Sequence, residues 1–152
     1  MRVIVQRCEK ALVKVDECVV GKINAGVLLL VGFTYGDGID EIQYMVDKIA
    51  HLRIFDDEFG VMNRSLLDTQ GSILSVSQFT LYADTRKGRR PSYIKALNGE
   101  EAKALYELFN VLLKKTGLQV ETGTFGADMK VDFVNDGPIT IILEKEGSRD
   151  GE

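Results

Sequence analysis

The sequence has few of the side chains on which metal sites and histidine-dependent catalysis rely. Its 152 residues include one histidine, two cysteines and no tryptophan. Cys8, Cys18 and His51 cannot supply the four ligands of a structural zinc site, and the two cysteines do not form a CxxC pair. His51 lies within a predicted helix, where we expect it to have a packing role and not a catalytic one. We therefore expect neither a metal nor a cofactor.

Long apolar runs and a strong excess of one charge are missing too. No hydrophobic segment reaches the ~18–20 residues that a membrane-spanning helix needs, and Met1-Arg2 leads into a strand pattern without a signal-peptide core. The 19 basic and 23 acidic residues give a formal net charge of −4, so general attraction to DNA, RNA or a membrane is not expected. We expect a cytoplasmic protein in which any RNA binding depends on a local basic patch.

The order of the sequence patterns predicts one mixed α/β domain over residues 1–145, with largely antiparallel sheet and two main helices. Alternating apolar and polar residues predict an opening hairpin from 2–7 and 11–16, with its turn at Glu9-Lys10. The continuously apolar run 27–33 is typical of a strand covered on both faces and is expected at the centre of the sheet. Further strands are predicted at 18–23, 73–82, 118–121, 129–134 and 139–143.

Helical periodicity appears in two segments. The first helix is predicted over 40–52. The second is predicted to begin at an Asn98 cap, with Glu101 completing a capping box, and to end at Gly117. The three carboxylates at 56–58 precede a glycine, which favours a solvated turn over a cation site. Residues 146–152 are charged and contain glycine, so we expect a flexible tail.

Polar side chains cluster in Ser77-Gln78-Phe79-Thr80-Leu81, at the end of the predicted strand 73–82. Alternation along a strand would place Gln78 and Thr80 on one face, where both could point into a pocket. A glutamine amide can donate to a carbonyl oxygen, and backbone N–H groups can stabilise an oxyanion. Thr80 as a nucleophile is the weaker hypothesis, because the sequence supplies no obvious base for it. A solvent-facing strand end would also fit the pattern.

A predicted loop over residues 85–93 concentrates positive charge in an acidic protein. Four cationic residues occur within five positions, namely Arg86, Lys87, Arg89 and Arg90. Arginine suits bidentate contacts to phosphate, and Tyr93 offers a ring on which a base can stack. The segment favours a single-stranded nucleic-acid end over a duplex, although a solvated charged loop remains an alternative.

The third distinctive segment is Asn135-Asp136-Gly137-Pro138-Ile139-Thr140. An ordinary tight turn explains these residue types, and a cis bond occurs in only about 5–6% of X–Pro pairs, so the sequence alone does not establish one. A cis bond here would aim the two flanking carbonyls into a cavity as a rigid pair of acceptors.

In these segments the chain resembles the D-aminoacyl-tRNA deacylases of bacteria and eukaryotes. The two motifs at 77–81 and 135–140 carry the resemblance, which runs in order from about residue 2 to residue 144. Supporting matches are Leu52-Arg53-Ile54-Phe55, Gly60-Val61-Met62-Asn63, Lys87-Gly88-Arg89-Arg90-Pro91-Ser92 and Phe125-Gly126-Ala127-Asp128-Met129. The resemblance implies hydrolysis of the ester that joins a D-amino acid to the terminal adenosine of tRNA, by a homodimer with pockets at the subunit boundary.

The resemblance also assigns roles to residues. It implies a cis Gly137-Pro138 bond that reaches into the partner's pocket, where an L side chain would be driven into backbone and a D side chain would point outwards. Glycyl-tRNA, which has no side chain to reject, should then be cleaved to some extent. The catalytic residues implied are Ser77, Gln78, Phe79 and Thr80, with Met129 lining the pocket and Arg86, Lys87, Arg89, Arg90 and Tyr93 binding tRNA.

Two alternatives remain open. A sister class shares much of the pattern, clears L-alanyl-tRNA(Thr), and is implied by resemblance to have a trans Gly-Pro bond. The motif context at 77–81 and 135–140 leans towards the D-specific class. The second alternative is a non-catalytic dimer that binds the tRNA end through the basic loop.

Overall fold

One long strand organises the fold. The computed structural model describes residues 1–147, and in it β1 (Arg2–Val15) is continuous. The predicted turn at Glu9-Lys10 is therefore wrong. Residues 2–8 of this strand pair antiparallel with one neighbour and residues 11–15 with another. Glu9 and Lys10 thus interrupt the alternation of apolar and polar residues because β1 pairs with different strands before and after them. The chain does not reverse direction there.

The other elements follow β1 along the chain. They are β2 (Cys18–Ile23), β3 (Gly26–Gly32), α1 (Ile39–His51), β4 (Phe55–Asp56), β5 (Met62–Arg64), α2 (Leu66–Thr69), β6 (Ser72–Ser77), a 3₁₀ helix (Phe79–Tyr82), α3 (Gly99–Lys115), β7 (Val120–Thr122) and β8 (Lys130–Glu144). The main sheet has the order β2-β1-β3-β6-β7, with β8 paired to β1. Among the strand pairings of residues 1–147, only β3–β6 and β6–β7 are parallel, so the prediction of a largely antiparallel α/β domain with β3 at its centre is confirmed.

The last two predicted strands form one strand, β8, with an outward bulge. Asn135 lies opposite Cys8 of β1 and Thr140 lies opposite Gln6, so residues 136–139 all face the single residue Arg7. The prediction of a turn between two strands is wrong for this reason. The glycine and proline there mark a bulge in a continuous strand, since the pairing with β1 resumes on both sides.

Apolar side chains fill both faces of the sheet. On one face, α1 and α3 pack against β1 and β3 through residues that include Val3, Leu29, Ile42 and Phe109. A smaller cluster, which includes Val13, Leu28 and Val76, covers the opposite face. The predicted helices are confirmed within a few residues, but the Asn98 side chain makes no capping hydrogen bond, so the predicted capping box is wrong. The short helix α2 was not predicted.

The two ends of the described chain meet. The Met1 ammonium donates to the Lys145 carbonyl at 2.8 Å and pairs with the Asp37 carboxylate at 2.8 Å, while the Lys145 N–H donates to the Met1 carbonyl at 3.0 Å. Burial lowers the pKa of this ammonium, and Asp37 opposes that shift. Lys145 is therefore held in place, and residues 148–152 of the predicted tail lie outside the described residues. In residues 1–147 no helix is long and apolar enough to cross a membrane.

Candidate active site

A cavity of about 390 Å³ opens where β3 and β6 end. Because these strands are parallel, their carboxyl ends share one edge of the sheet, a common location for ligand sites. Gly32 and Phe33 form one wall, Ser77 and Gln78 a second, and the start of α3 with the loop 125–129 closes the remainder. Met129, which the resemblance placed in the pocket, lies in this lining.

The Ser77–Thr80 segment turns at the rim of the cavity. β6 ends at Ser77 and the 3₁₀ helix follows, so the prediction of a strand as far as residue 82 is wrong, and with it the argument from alternation. The turn nevertheless brings the two polar side chains together, since Gln78 Nε2 donates to Thr80 Oγ1. Ser77, Gln78 and Phe79 line the cavity, whereas Thr80 is not part of the lining.

Backbone donors are available beside Gln78. The first N–H groups of a 3₁₀ helix have no acceptor inside the helix, and here they belong to Phe79 and Thr80. The start of the turn is fixed to β3, because the Gln78 N–H donates to the Val31 carbonyl at 2.8 Å. A Cβ on Gly32 would lie 2.9 Å from the Gln78 carbonyl oxygen, so the close approach of β3 to this turn requires glycine. The Phe79 and Thr80 N–H groups follow Gln78 directly in the chain and, within residues 1–147, have no backbone acceptor.

A buried hydroxyl supports the floor of the cavity, and the sequence analysis did not identify it. Tyr106 of α3 donates to the Ser75 carbonyl at 2.8 Å, two residues before Ser77, and its ring lies 5.9 Å from that of Phe125 in the cavity wall. Burial raises the pKa of Tyr106, so the hydroxyl stays protonated and able to donate. The signal in the sequence was its place on the apolar face of α3, between Ala102 and Phe109.

The 137–138 segment lies away from the cavity of its own chain. The Gly137-Pro138 peptide bond is cis, both residues are exposed, and neither lines that cavity. Buried Arg7 holds the segment from below, with Nε donating to the Asp136 carbonyl at 3.0 Å and Nη1 to the Ile54 carbonyl at 2.8 Å. The role of Arg7 was not predicted from the sequence. Arg7 follows Val3 and Val5 in the series of alternate buried positions of β1, so it is a charged residue where an apolar one is expected.

Replacing Arg7 with alanine is expected to lower the free energy of unfolding by about 1–3 kcal/mol, because two carbonyls lose their donor. Urea denaturation measures this change. Lys10→Ala on the same strand, where the side chain is exposed, serves as the control and should change stability by less than about 0.5 kcal/mol. Equal stabilities for the two variants would show that Arg7 does not hold the segment.

The basic loop (residues 85–91) follows the 3₁₀ helix in the chain. Asp84 and Ser92 close it with two backbone hydrogen bonds of 2.8 Å. Arg86 donates to both carboxylate oxygens of Asp84, at 2.9 and 2.7 Å, and these bonds hold the pKa of that carboxyl below its ordinary value. Tyr93 meets the ring of Phe79 edge-on at 5.1 Å between centroids. The structure therefore places Tyr93 against Phe79 of the cavity wall, while Lys87, Arg89 and Arg90 are exposed.

The other residues considered in the sequence analysis do not gather into a site. Asp57 accepts the N–H groups of Phe59 and Val61, which makes it a turn carboxylate, and His51 lies on the surface of α1 beside Asp47. Within residues 1–147 no three His, Cys, Asp or Glu residues are arranged to hold a metal ion.

Comparison with known proteins identifies the family. The family model described as D-Tyr-tRNA(Tyr) deacylase matches residues 4–144. A D-aminoacyl-tRNA deacylase of Brevibacillus brevis is 58% identical over 95% of this chain and 99% of the relative, and one of Thermus aquaticus is 53% identical over 98% and 100%. A solved structure described as the c-Myc DNA unwinding element binding protein is 40% identical and covers 97% of this chain and 100% of its own, with a TM-score of 0.91. The chain belongs to the D-Tyr-tRNA(Tyr) deacylase family.

Proposed function

We propose that the protein hydrolyses the ester of D-aminoacyl-tRNA, releasing the D-amino acid and free tRNA. The observation that carries the proposal is a cavity lined by Gln78 and Phe79, at the point where the N–H groups of Phe79 and Thr80 begin a 3₁₀ helix and Tyr93 packs against Phe79. Its relatives named D-aminoacyl-tRNA deacylase match nearly the whole chain. The terminal adenosine and its ester enter the cavity, and the preceding nucleotides leave past Tyr93 and the cations Arg86, Lys87, Arg89 and Arg90.

Electrostatic stabilisation of the transition state supplies the catalysis. Attack of water on the ester carbonyl puts negative charge on its oxygen, and the Gln78 amide with the N–H groups of Phe79 and Thr80 donates to that oxygen. The 2′-hydroxyl of the terminal ribose lies beside the ester and helps to orient the water. Aminoacyl esters are labile, so a modest reduction of the barrier is enough.

A second subunit supplies the selection between D and L substrates. Gly137 and Pro138 are exposed on their own chain, yet Arg7 and the Asn135 side chain, which accepts the Ile139 N–H at 2.8 Å, hold them firmly. Such a segment suits a site outside its own chain, and we assign it to the partner's cavity in a homodimer. Its main-chain carbonyls accept the α-ammonium group of the substrate. The side chain of an L-amino acid then collides with backbone, whereas that of a D-amino acid points outwards. Glycyl-tRNA has no side chain to collide and is accepted.

Exposed apolar side chains support an interface along β8. Val134 and Ile142 lie on this strand at 39% and 67% exposure. Apolar exposure of this kind on an edge strand favours burial against another chain.

Thr80→Ala is expected to lower kcat less than tenfold, because the Thr80 hydroxyl accepts from Gln78 and is assigned no bond to the ester, and the variant keeps the Thr80 N–H that donates to the ester oxygen. Single-turnover hydrolysis of D-tyrosyl-tRNA measures the effect. A folded Thr80→Ala protein that binds the substrate and has no activity would contradict this role and restore Thr80 as the nucleophile.

The experiment that tests the proposed function compares D-tyrosyl-tRNA, L-tyrosyl-tRNA and L-alanyl-tRNA(Thr) as substrates of the pure protein. We expect release of tRNA from the D-ester alone among the three. Rapid release from L-alanyl-tRNA(Thr) would assign the protein to the sister class. Binding of all three without hydrolysis would identify a tRNA-end-binding dimer.

A further inference from the structure

A second cavity, of about 290 Å³, lies at the foot of the basic loop. It is lined by Arg2, Tyr82, Ala83, Asp84, Thr85, Arg86 and Lys95. Three of these side chains are cationic and one is anionic. This cavity shares no lining residue with the active-site cavity, and neither the sequence motifs nor the proposed chemistry uses Arg2, Tyr82 or Lys95.

Ion pairs inside this cavity leave one cation without an anionic partner. Arg2 lies over the ring of Tyr82, 4.4 Å from its centroid, and pairs with Glu144 at 2.8 Å. Arg86 is paired with Asp84 as described above. Within residues 1–147, Lys95 has no carboxylate within 4.0 Å of its ammonium group, although its carbonyl accepts from Thr34.

The Asp84 carboxylate, which also lines this cavity and attracts Lys95 from beyond ion-pair distance, is occupied by Arg86. Its oxygens accept the backbone N–H of Arg86 at 3.1 Å as well as the Nε and Nη2 groups of the same residue. These bonds fix the guanidinium plane, and Arg86 Nη1 has no acceptor among the described residues. A preorganised guanidinium edge beside an unpaired ammonium is a suitable pair of donors for a phosphate.

A short helix connects the second cavity to the active site. Phe79, the first residue of the 3₁₀ helix, lines the active-site cavity, and Tyr82, the last, lines the second cavity. Three residues of 3₁₀ helix rise about 6 Å. The two cavities are therefore neighbours at opposite ends of this helix.

We propose that the second cavity binds a backbone phosphate of the tRNA acceptor strand, just 5′ of the terminal adenosine, with Lys95 and Arg86 as its donors. This inference rests on the proposed function, because it assumes that the terminal adenosine occupies the active-site cavity. Lys95 is then a substrate-binding residue that acts on affinity and not on the chemical step.

Two substrates separate this role from an effect on the active site. D-tyrosyl-tRNA contains the phosphate, and D-tyrosyl-adenosine contains the same ester without any preceding phosphate. For Lys95→Ala we expect KM for D-tyrosyl-tRNA to rise about ten- to a hundredfold with kcat unchanged, the loss typical of one hydrogen bond to a charged group. We expect no change with D-tyrosyl-adenosine. Lys95→Arg should restore most of the affinity.

Salt dependence gives a second measurement. Loss of one phosphate contact should reduce the slope of log affinity against log salt concentration by about 0.7, the value for a single strand. Lys22→Ala, which removes an exposed lysine of β2 that lines neither cavity, is the matched control and should leave KM and the slope unchanged. An unchanged KM for Lys95→Ala, or an equal rise with both substrates, would overturn the proposal. Failure of the wild-type protein to hydrolyse either D-ester would instead overturn the proposed function.

Discussion

Gly137→Ala is expected to lower the rate of D-aminoacyl-tRNA hydrolysis about a hundredfold, the loss that a displacement near 1 Å can cause at a catalytic site. Gly137 has a φ of +135°, and a Cβ there would lie 2.9 Å from the Ile139 nitrogen and 2.7 Å from Ile139 Cγ1. The segment must therefore move, and its carbonyls move with it. Initial rates with D-tyrosyl-tRNA measure the effect.

A matched glycine distinguishes displacement from backbone strain alone. Gly36 has a φ of +92°, but a Cβ there would have no atom within 4 Å. Gly36→Ala therefore carries the cost of a positive φ, about 1–2 kcal/mol, without moving a neighbour. We expect it to keep its activity. Full activity in Gly137→Ala would show that the position of this backbone does not matter for hydrolysis.

Gln78→Ala is expected to lower kcat by about 10²–10³-fold, the effect of removing one donor to an oxyanion. KM should change little, because the hydrogen bond from the Gln78 amide to the ester oxygen forms fully only in the transition state. Single-turnover and steady-state kinetics with D-tyrosyl-tRNA separate the two parameters. Gln43→Ala, which removes an exposed glutamine of α1, is the control and should have wild-type kinetics. A rise in KM at constant kcat would make Gln78 a ground-state binding residue.

The main elements of the fold were predictable where a single local pattern decided the structure. The apolar run at 27–33 gives the central strand, and the helical spacing after residue 39 gives α1. The prediction was wrong where pairing between distant segments determined the local structure. Glu9-Lys10 and residues 136–139 carry turn signals, but both lie within strands because the pairing of β1 with β8 continues on both sides of each segment. The energy of that pairing is not visible in either segment alone.

The candidate site was predicted in part, for a similar reason. The motifs identified Gln78 and Phe79, and the structure places both at a cavity. Arg7 and Tyr106 were missed because each acts through a carbonyl far away in sequence, at Asp136 and Ser75. A side chain that supports a distant main-chain group leaves only a weak local signal, such as an arginine in a buried strand position.

Coexpression of Gln78→Ala chains with Gly137→Ala chains tests the central claim, that each site combines the cavity of one subunit with the 137–138 segment of the other. A mixed dimer then has one site with both defects and one site with neither. With random pairing, half of the dimers are mixed, so activity should recover to about a quarter of the wild-type value. The recovered activity should be specific for the D-ester. If the mixed preparation stays as inactive as the separate variants, the two parts do not come from different chains and the account is wrong.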